Sequence, residues 1–181
     1  MVEDRLLIWK YKHGNRDALR QIYEKYKNDL LKLAVTLVND VNSAEDAVQD
    51  VFLGFAQSTE KIQPRGNLKK YLVTCIANRI RNQKRDRQRH KASGNNESNW
   101  INFDFKRPEQ WAILSEELEL LSNAMAQIPY EQREVLTLYM QGDMTFRQIA
   151  KIRNASINTV QGRYRYGLNK LRSILNSEIK K

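Results

Sequence analysis

Cysteine occurs once in the 181 residues, as Cys75. A lone thiol excludes an intrachain disulfide and any metal site built from several cysteines, and it suits a reducing, cytoplasmic compartment. Seven glycines and three prolines, 10 residues of 181, fall well below ordinary usage of about 12%. That scarcity excludes collagen-like and low-complexity chains and argues against an all-β fold rich in tight turns. Long apolar runs are also missing. The longest stretch without a charged residue runs from Leu120 to Tyr130, far short of the roughly 20 apolar residues that cross a bilayer. Met1-Val-Glu-Asp-Arg5 leads into no apolar run, so neither a signal peptide nor membrane insertion is expected. Only two histidines occur, His13 and His90, far apart and in polar surroundings. No catalytic residue, metal or cofactor is expected from them.

What is present is basic charge, unevenly placed. Lys+Arg is 31 against 21 for Asp+Glu, a formal charge of +10. Arg79 to Lys91 holds seven basic residues and one acid, Asp86; Arg147 to Arg172 holds seven and no acid. Acids gather at Glu45, Asp46 and Asp50, and again at Glu116, Glu117 and Glu119. Two separate basic stretches point to two nucleic-acid contacts on one chain, with solvated helix faces as the alternative.

Apolar spacing is helical throughout. Leu19, Ile22, Tyr23, Tyr26, Leu30, Leu33, Ala34 and Leu37 recur at three and four, as one helix face requires. Asn39 to Ser43 interrupts the pattern, with Ser43 the expected N-cap of the next helix. Ala44, Ala47, Val48, Val51, Phe52 and Phe55 resume it, and a further stripe runs from Leu68 to Ile80. From about Lys91 to Arg107 periodicity disappears and turn-forming residues take over, which predicts a linker. Trp100, Phe103 and Phe105 within it are expected to pack on a neighbour. A second helical unit follows, with Pro129 between two helices and Gly142 as a stop signal. The chain is therefore expected to be all-α, with domains at 1–90 and 113–181 and a flexible linker at 91–112.

The second unit has the layout of a helix-turn-helix. Thr145 and Gln148 form a capping box, small Ala150 permits a close crossing, and Arg153 to Ser156 makes a short turn before a helix buried through Val160. The outward side of that helix offers Asn158, Gln161, Arg163 and Arg165, amides and guanidiniums that match base edges and phosphates. An ordinary helical hairpin with a polar face is the alternative.

In the first unit Glu45, Asp46, Gln49 and Asp50 share a helix face. Asp46 and Asp50 repel at this spacing, by roughly 0.2–0.5 kcal/mol, so the face suits a basic protein partner, or else simply solvent. A calcium loop is excluded because Glu45 stands where an EF-hand needs glycine. On the next helix Lys70, Thr74, Asn78, Arg81 and Arg85 share a face bordered by Tyr71. Cations, amides and an aromatic together suit an unstacked DNA strand; Tyr71 in the core is the alternative.

Ala44-Glu-Asp-Ala-Val-Gln-Asp-Val-Phe-Leu53 resembles the core-binding helix of bacterial RNA polymerase sigma factors of the extracytoplasmic-function group. Leu68 to Asn78 is similar to that family's next segment, which captures the melted minus-ten element. Ile128 to Leu136 and Thr145 to Arg163 resemble its fourth region, which reads the minus-thirty-five element. The resemblance implies polymerase contacts at Glu45, Asp46, Gln49, Asp50 and Leu53. It implies melted-strand contacts at Asn67, Lys70, Tyr71, Thr74, Asn78, Arg81 and Arg85. It implies duplex contacts at Ser156, Asn158, Thr159, Gln161, Gly162, Arg163 and Arg165. Core RNA polymerase, promoter DNA and an anti-sigma factor are the partners it implies. Tyr71 stands where the family usually has Trp, Arg153-Asn154 where it has Leu-Gly, and Gly162 and Gly167 where it has Ser and Ala. Each glycine costs a helix roughly 1 kcal/mol, so the recognition helix is expected to firm up on DNA.

Two other functions use some of the same features. A helix-turn-helix regulator that does not melt DNA would have no need of the acidic helix and the basic strand-capture helix. An enzyme acting on nucleic acid would need more than the Asp46/Asp50 pair to hold magnesium.

Overall fold

The computed structural model describes residues 2–57, 67–93 and 116–179. Among them are eight α-helices and no strand: α1 Val2–Lys12, α2 Arg16–Val38, α3 Val41–Gln57, α4 Leu68–Ser93, α5 Glu116–Ala126, α6 Tyr130–Met140, α7 Phe146–Arg153 and α8 Ile157–Ile179. No described helix is long and apolar enough to cross a membrane. The expected linker at 91–112 begins inside α4; its remainder, with Trp100, Phe103 and Phe105, lies outside the described residues.

Helix α1 carries only a short apolar row, Leu7, Ile8 and Tyr11, and a polar cluster also pins it to α2. Asp4 accepts hydrogen bonds from Lys25 Nζ at 2.8 Å and Tyr26 Oη at 2.9 Å, and Lys25 also reaches Glu3 at 2.6 Å. Burial pushes the Asp4 carboxyl up, but the bonds from Lys25 and Tyr26 outweigh it and leave it below the usual carboxylate range. Leu7 and Ile8 are buried, and Tyr11 Oη donates to the Ala56 carbonyl at 2.8 Å, tying α1 to the end of α3.

Helix α2 is the spine of the first unit, with Ile22, Leu30, Leu33 and Leu37 buried. Asn15 caps its start by accepting from Ala18 N–H. Asn39 ends it in the left-handed region at φ 54°. That turn brings α3 in early. Asp40, not Ser43, caps α3, accepting from Ser43 N–H at 2.8 Å.

The helices of the second unit do not stand apart from the first. One continuous core joins Ile22, Leu30, Leu72 and Ile76 to Tyr130, Val135, Leu138, Ile149, Ala150 and Val160. A smaller cluster of Ala124, Met125, Ile128, Leu136 and Leu171 holds α5, α6 and α8 together. Polar contacts cross between the units as well. The Ser122 hydroxyl lies 2.6 Å from Asn39 Oδ1, and Gln141 Nε2 donates to Thr36 Oγ1 at 3.2 Å.

Candidate functional site

The helix-turn-helix is fixed by local chemistry. Thr145 accepts from Gln148 N–H and the Gln148 side chain accepts from Thr145 N–H, both bonds of the expected capping box. Asn154 ends α7 at φ 47°, ψ 49°, a left-handed conformation that asparagine tolerates better than most residues. Ser156 Oγ accepts from Thr159 N–H at 3.0 Å and shares a hydrogen bond with the Thr159 hydroxyl, capping α8. Val160 is fully buried, which turns Asn158, Thr159, Gln161 and Arg165 outward. Gly162 and Arg163 are half-buried beside this row. The rings of Tyr139, Phe146 and Tyr164 have centroids within 4.6–5.2 Å of one another, Tyr139 stacked on Phe146 and Tyr164 edge-on to both, and they lock α6, α7 and α8.

The two glycines of α8 differ in their surroundings. A Cβ at Gly162 would meet nothing within 4 Å, whereas one at Gly167 would lie 3.0 Å from Leu136 Cδ1 and 3.1 Å from Gln132 Cβ. Gly162→Ala is therefore expected to stabilise the protein by about 1 kcal/mol through helix propensity. Gly167→Ala is expected to destabilise it by about 1–3 kcal/mol through overpacking. Thermal unfolding of the two variants checks the opposite signs.

Glu134 was not expected to matter. It is completely buried, with Arg153 Nη1 at 2.7 Å and Arg81 Nε at 3.7 Å. Neither guanidinium group points an N–H along a carboxylate oxygen, so these are charge contacts rather than aligned hydrogen bonds. Burial raises the Glu134 carboxyl above its ordinary range, opposed by Arg153 and Arg81. Its legible signal was the i, i+4 row Tyr130, Glu134, Leu138, an acid in the middle of an apolar stripe.

The five candidate polymerase contacts on α3 form two rows. Glu45, Gln49 and Leu53, four apart, face α2. Gln49 and Leu53 line an apolar groove of about 320 Å³ with Arg16, Leu19, Arg20, Tyr23 and Phe52. Asp46 and Asp50 face α4, where Arg79 Nε donates to Asp50 Oδ2 at 2.8 Å. Burial raises the exposed-side Asp46 carboxyl, and the Asp50 charge adds to that. Arg16 and Arg20 were missed as groove residues, although their spacing around Leu19 was visible.

The α4 candidates also divide. Asn67, Asn78 and Arg85 are exposed. Asn67 Oδ1 lies 3.4 Å from Lys70 N–H, and the Thr74 hydroxyl donates to the Lys70 carbonyl. Tyr71 is half-buried, its ring 6.3 Å from Phe55, and burial raises its hydroxyl. Arg81 Nη2 donates to Asn78 Oδ1 at 2.6 Å. Among the described residues no cluster of His, Cys, Asp and Glu could hold a metal ion.

Comparison with known proteins interprets this arrangement. Residues 22–90 match sigma-70 region 2, and residues 118–171 match sigma-70 region 4. The chain belongs to the sigma-70 family. Helices α2 to α4 make up region 2, and α5 to α8 contain region 4. The chain is similar to the ECF RNA polymerase sigma factor EcfG of Rhodopseudomonas palustris, with 26% identity over 88% of this chain and 86% of that one. It is also similar to the ECF RNA polymerase sigma factor SigW of Bacillus subtilis, with 24% identity over 93% and 94%. Among solved structures it resembles CnrH in complex with the cytosolic domain of CnrY, with a TM-score of 0.66 and 20% identity over 97% and 98% of the two chains. The sigma factor RpoE in complex with the anti-sigma factor NepR, from Bartonella quintana, gives a TM-score of 0.63 and 22% identity over 87% and 98%. These relatives place this sigma factor in the extracytoplasmic-function group.

Proposed function

We propose that the chain binds core RNA polymerase in the cytoplasm, brings it to specific promoters and promotes melting at the start site, without catalytic chemistry of its own. The observation that carries this reading is the presence of both sigma-70 regions in one chain, the second with a polar row of α8 exposed. In this reading Asn158, Thr159, Gln161 and Arg165 enter the major groove of the minus-thirty-five element, with Ser156, Gly162 and Arg163 at its margin. Asn67, Lys70, Tyr71, Thr74, Asn78, Arg81 and Arg85 hold the unstacked minus-ten strand. Glu45, Asp46, Gln49, Asp50 and Leu53 dock on the polymerase. An anti-sigma factor is a further partner, as it is for the RpoE structure the chain resembles.

Retention on immobilised core polymerase tests the docking surface. Asp46→Lys with Asp50→Lys should weaken retention at least tenfold, since charge-assisted bonds contribute roughly 1.5–3 kcal/mol each. Arg79→Ala is the companion variant, because Arg79 also loses its Asp50 partner in the double variant. Circular dichroism should show near-native helix content in both. Retention unchanged by the charge reversal would remove these carboxylates from the interface.

A further inference from the structure

The end of α2, the later turns of α4 and the first turn of α6 enclose a cavity of about 320 Å³. Leu37 and Ile80, both buried, give it an apolar wall. Its charged lining is cationic, from Lys84, Arg87 and Arg133, and no carboxylate lines it. The Ser43 hydroxyl accepts from Arg87 Nη2 at 3.3 Å, which places the exposed Arg87 at the mouth. None of these residues belongs to the polymerase or DNA surfaces proposed above.

The cations are gathered without a counter-charge. Lys84 Nζ lies 3.9 Å from the centre of the Tyr130 ring and the Arg133 guanidinium carbon 5.7 Å from it. Burial lowers the Lys84 ammonium from its ordinary value, and Glu131 and Glu134 oppose that shift without forming an ion pair with it. Burial acts on Arg133 in the same direction. Two donors aggravate the imbalance. Arg133 Nε and the Tyr130 hydroxyl are buried with no hydrogen-bond partner, and Tyr130 is only 7% exposed. Burial and the Glu134 charge raise the Tyr130 hydroxyl, so it keeps its proton. Buried donors are normally paired, and an acceptor from outside the chain fits both. Pro129 brings no side-chain cap to α6, so the positive end of that helix dipole adds to the field.

We propose that this cavity binds a compact phosphorylated anion of the diphosphate class, with Lys84, Arg87 and Arg133 as its counter-charges. Guanidinium groups match phosphate oxygens in pairs. Three cations exceed the single charge of a carboxylate ligand. The volume is at the small end of ligand sites, which span roughly 300–1,000 Å³. Two cations already flank the Tyr130 ring, so the phosphates are recognised and an attached base is not. A DNA strand spreads its phosphates along a surface, whereas these cations converge on a concave site.

Calorimetric titration of the full-length chain with sodium pyrophosphate tests this, in about 0.15 M sodium chloride, where surface attraction is screened beyond roughly 8 Å. One pyrophosphate should bind per chain, with a dissociation constant below about 1 mM. Arg87→Gln and Lys84→Gln should each weaken it at least about tenfold, the loss of one charge-assisted bond. Arg89→Gln removes the same charge from the same helix outside the cavity and should change affinity less than about twofold, the screened contribution of a surface charge. Circular dichroism should show native helix content in all three, and Arg87, being exposed, is the variant that decides. Random-sequence single-stranded DNA should be weakened by Arg87→Gln no more than by Arg89→Gln. No pyrophosphate binding to the wild type overturns the site, as do equal losses from Arg87→Gln and Arg89→Gln. A loss of single-strand binding specific to Arg87→Gln, as large as its loss of pyrophosphate, assigns these cations to the DNA backbone and overturns it too.

Discussion

Glu134→Ala is expected to lower stability by about 3–5 kcal/mol, the usual result of removing one partner from a buried charge cluster. At this size that corresponds to a fall in melting temperature of about 10 °C. The side chain is fully buried, and its removal leaves Arg153, itself largely buried, without the carboxylate 2.7 Å away. Arg153 is the last residue of α7, immediately before the Asn154 turn, so the recognition helix should lose its fixed pose and duplex binding should weaken with stability. Glu134→Gln keeps the shape and should cost less. Thermal unfolding monitored by circular dichroism separates the two. A loss below about 1 kcal/mol for Glu134→Ala would contradict the structural role given to the cluster.

The second large effect is on DNA reading. Gln161→Ala should relax preference at one base pair by about 1–3 kcal/mol, because an amide pairs with a base edge in the major groove. Arg165→Ala should weaken binding about equally on all sequences and lower the salt slope by about one unit, the signature of a lost phosphate contact. Both side chains are exposed on the same helix, so neither change should alter melting temperature by more than a degree or two. Fluorescence anisotropy on a panel of duplexes at two salt concentrations distinguishes them. Uniform weakening by Gln161→Ala would move that residue from the bases to the backbone.

The fold was legible where helices carry an apolar stripe. Leu19 to Leu37, Ala44 to Phe55 and Leu68 to Ile80 each bury the face their spacing marks, and the capping box at Thr145 and the left-handed Asn154 form as expected. Helix α1 was not legible. Its apolar residues Leu6, Leu7, Ile8 and Trp9 are consecutive, only Leu7 and Ile8 of them are buried, and their docking is completed by a polar cluster in which Asp4 meets residues 21 and 22 positions away. The N-cap of α3 was displaced to Asp40 because the turn at Asn39 depends on a conformation that spacing does not reveal.

The candidate surfaces were legible as composition and not as pairing. Residues four apart on α3 looked like one acidic face, but the helix turns Glu45, Gln49 and Leu53 toward α2 and Asp46 and Asp50 toward α4, where Arg79 neutralises Asp50. Arg81 read as a DNA contact because it lies in a basic run; its neighbour Glu134 is 53 positions away, and periodicity carries no information across that distance. The shared core of the two units is hidden for the same reason.

With this chain bound, RNA polymerase should initiate at specific promoters. Run-off transcription with bacterial core polymerase, on a library of upstream sequences, measures it directly. With the chain present, discrete transcripts should start from a subset of templates sharing two sequence elements, and core polymerase alone should yield none of them. Identical transcripts with and without the chain, under conditions where it remains bound to core polymerase, would contradict the claim.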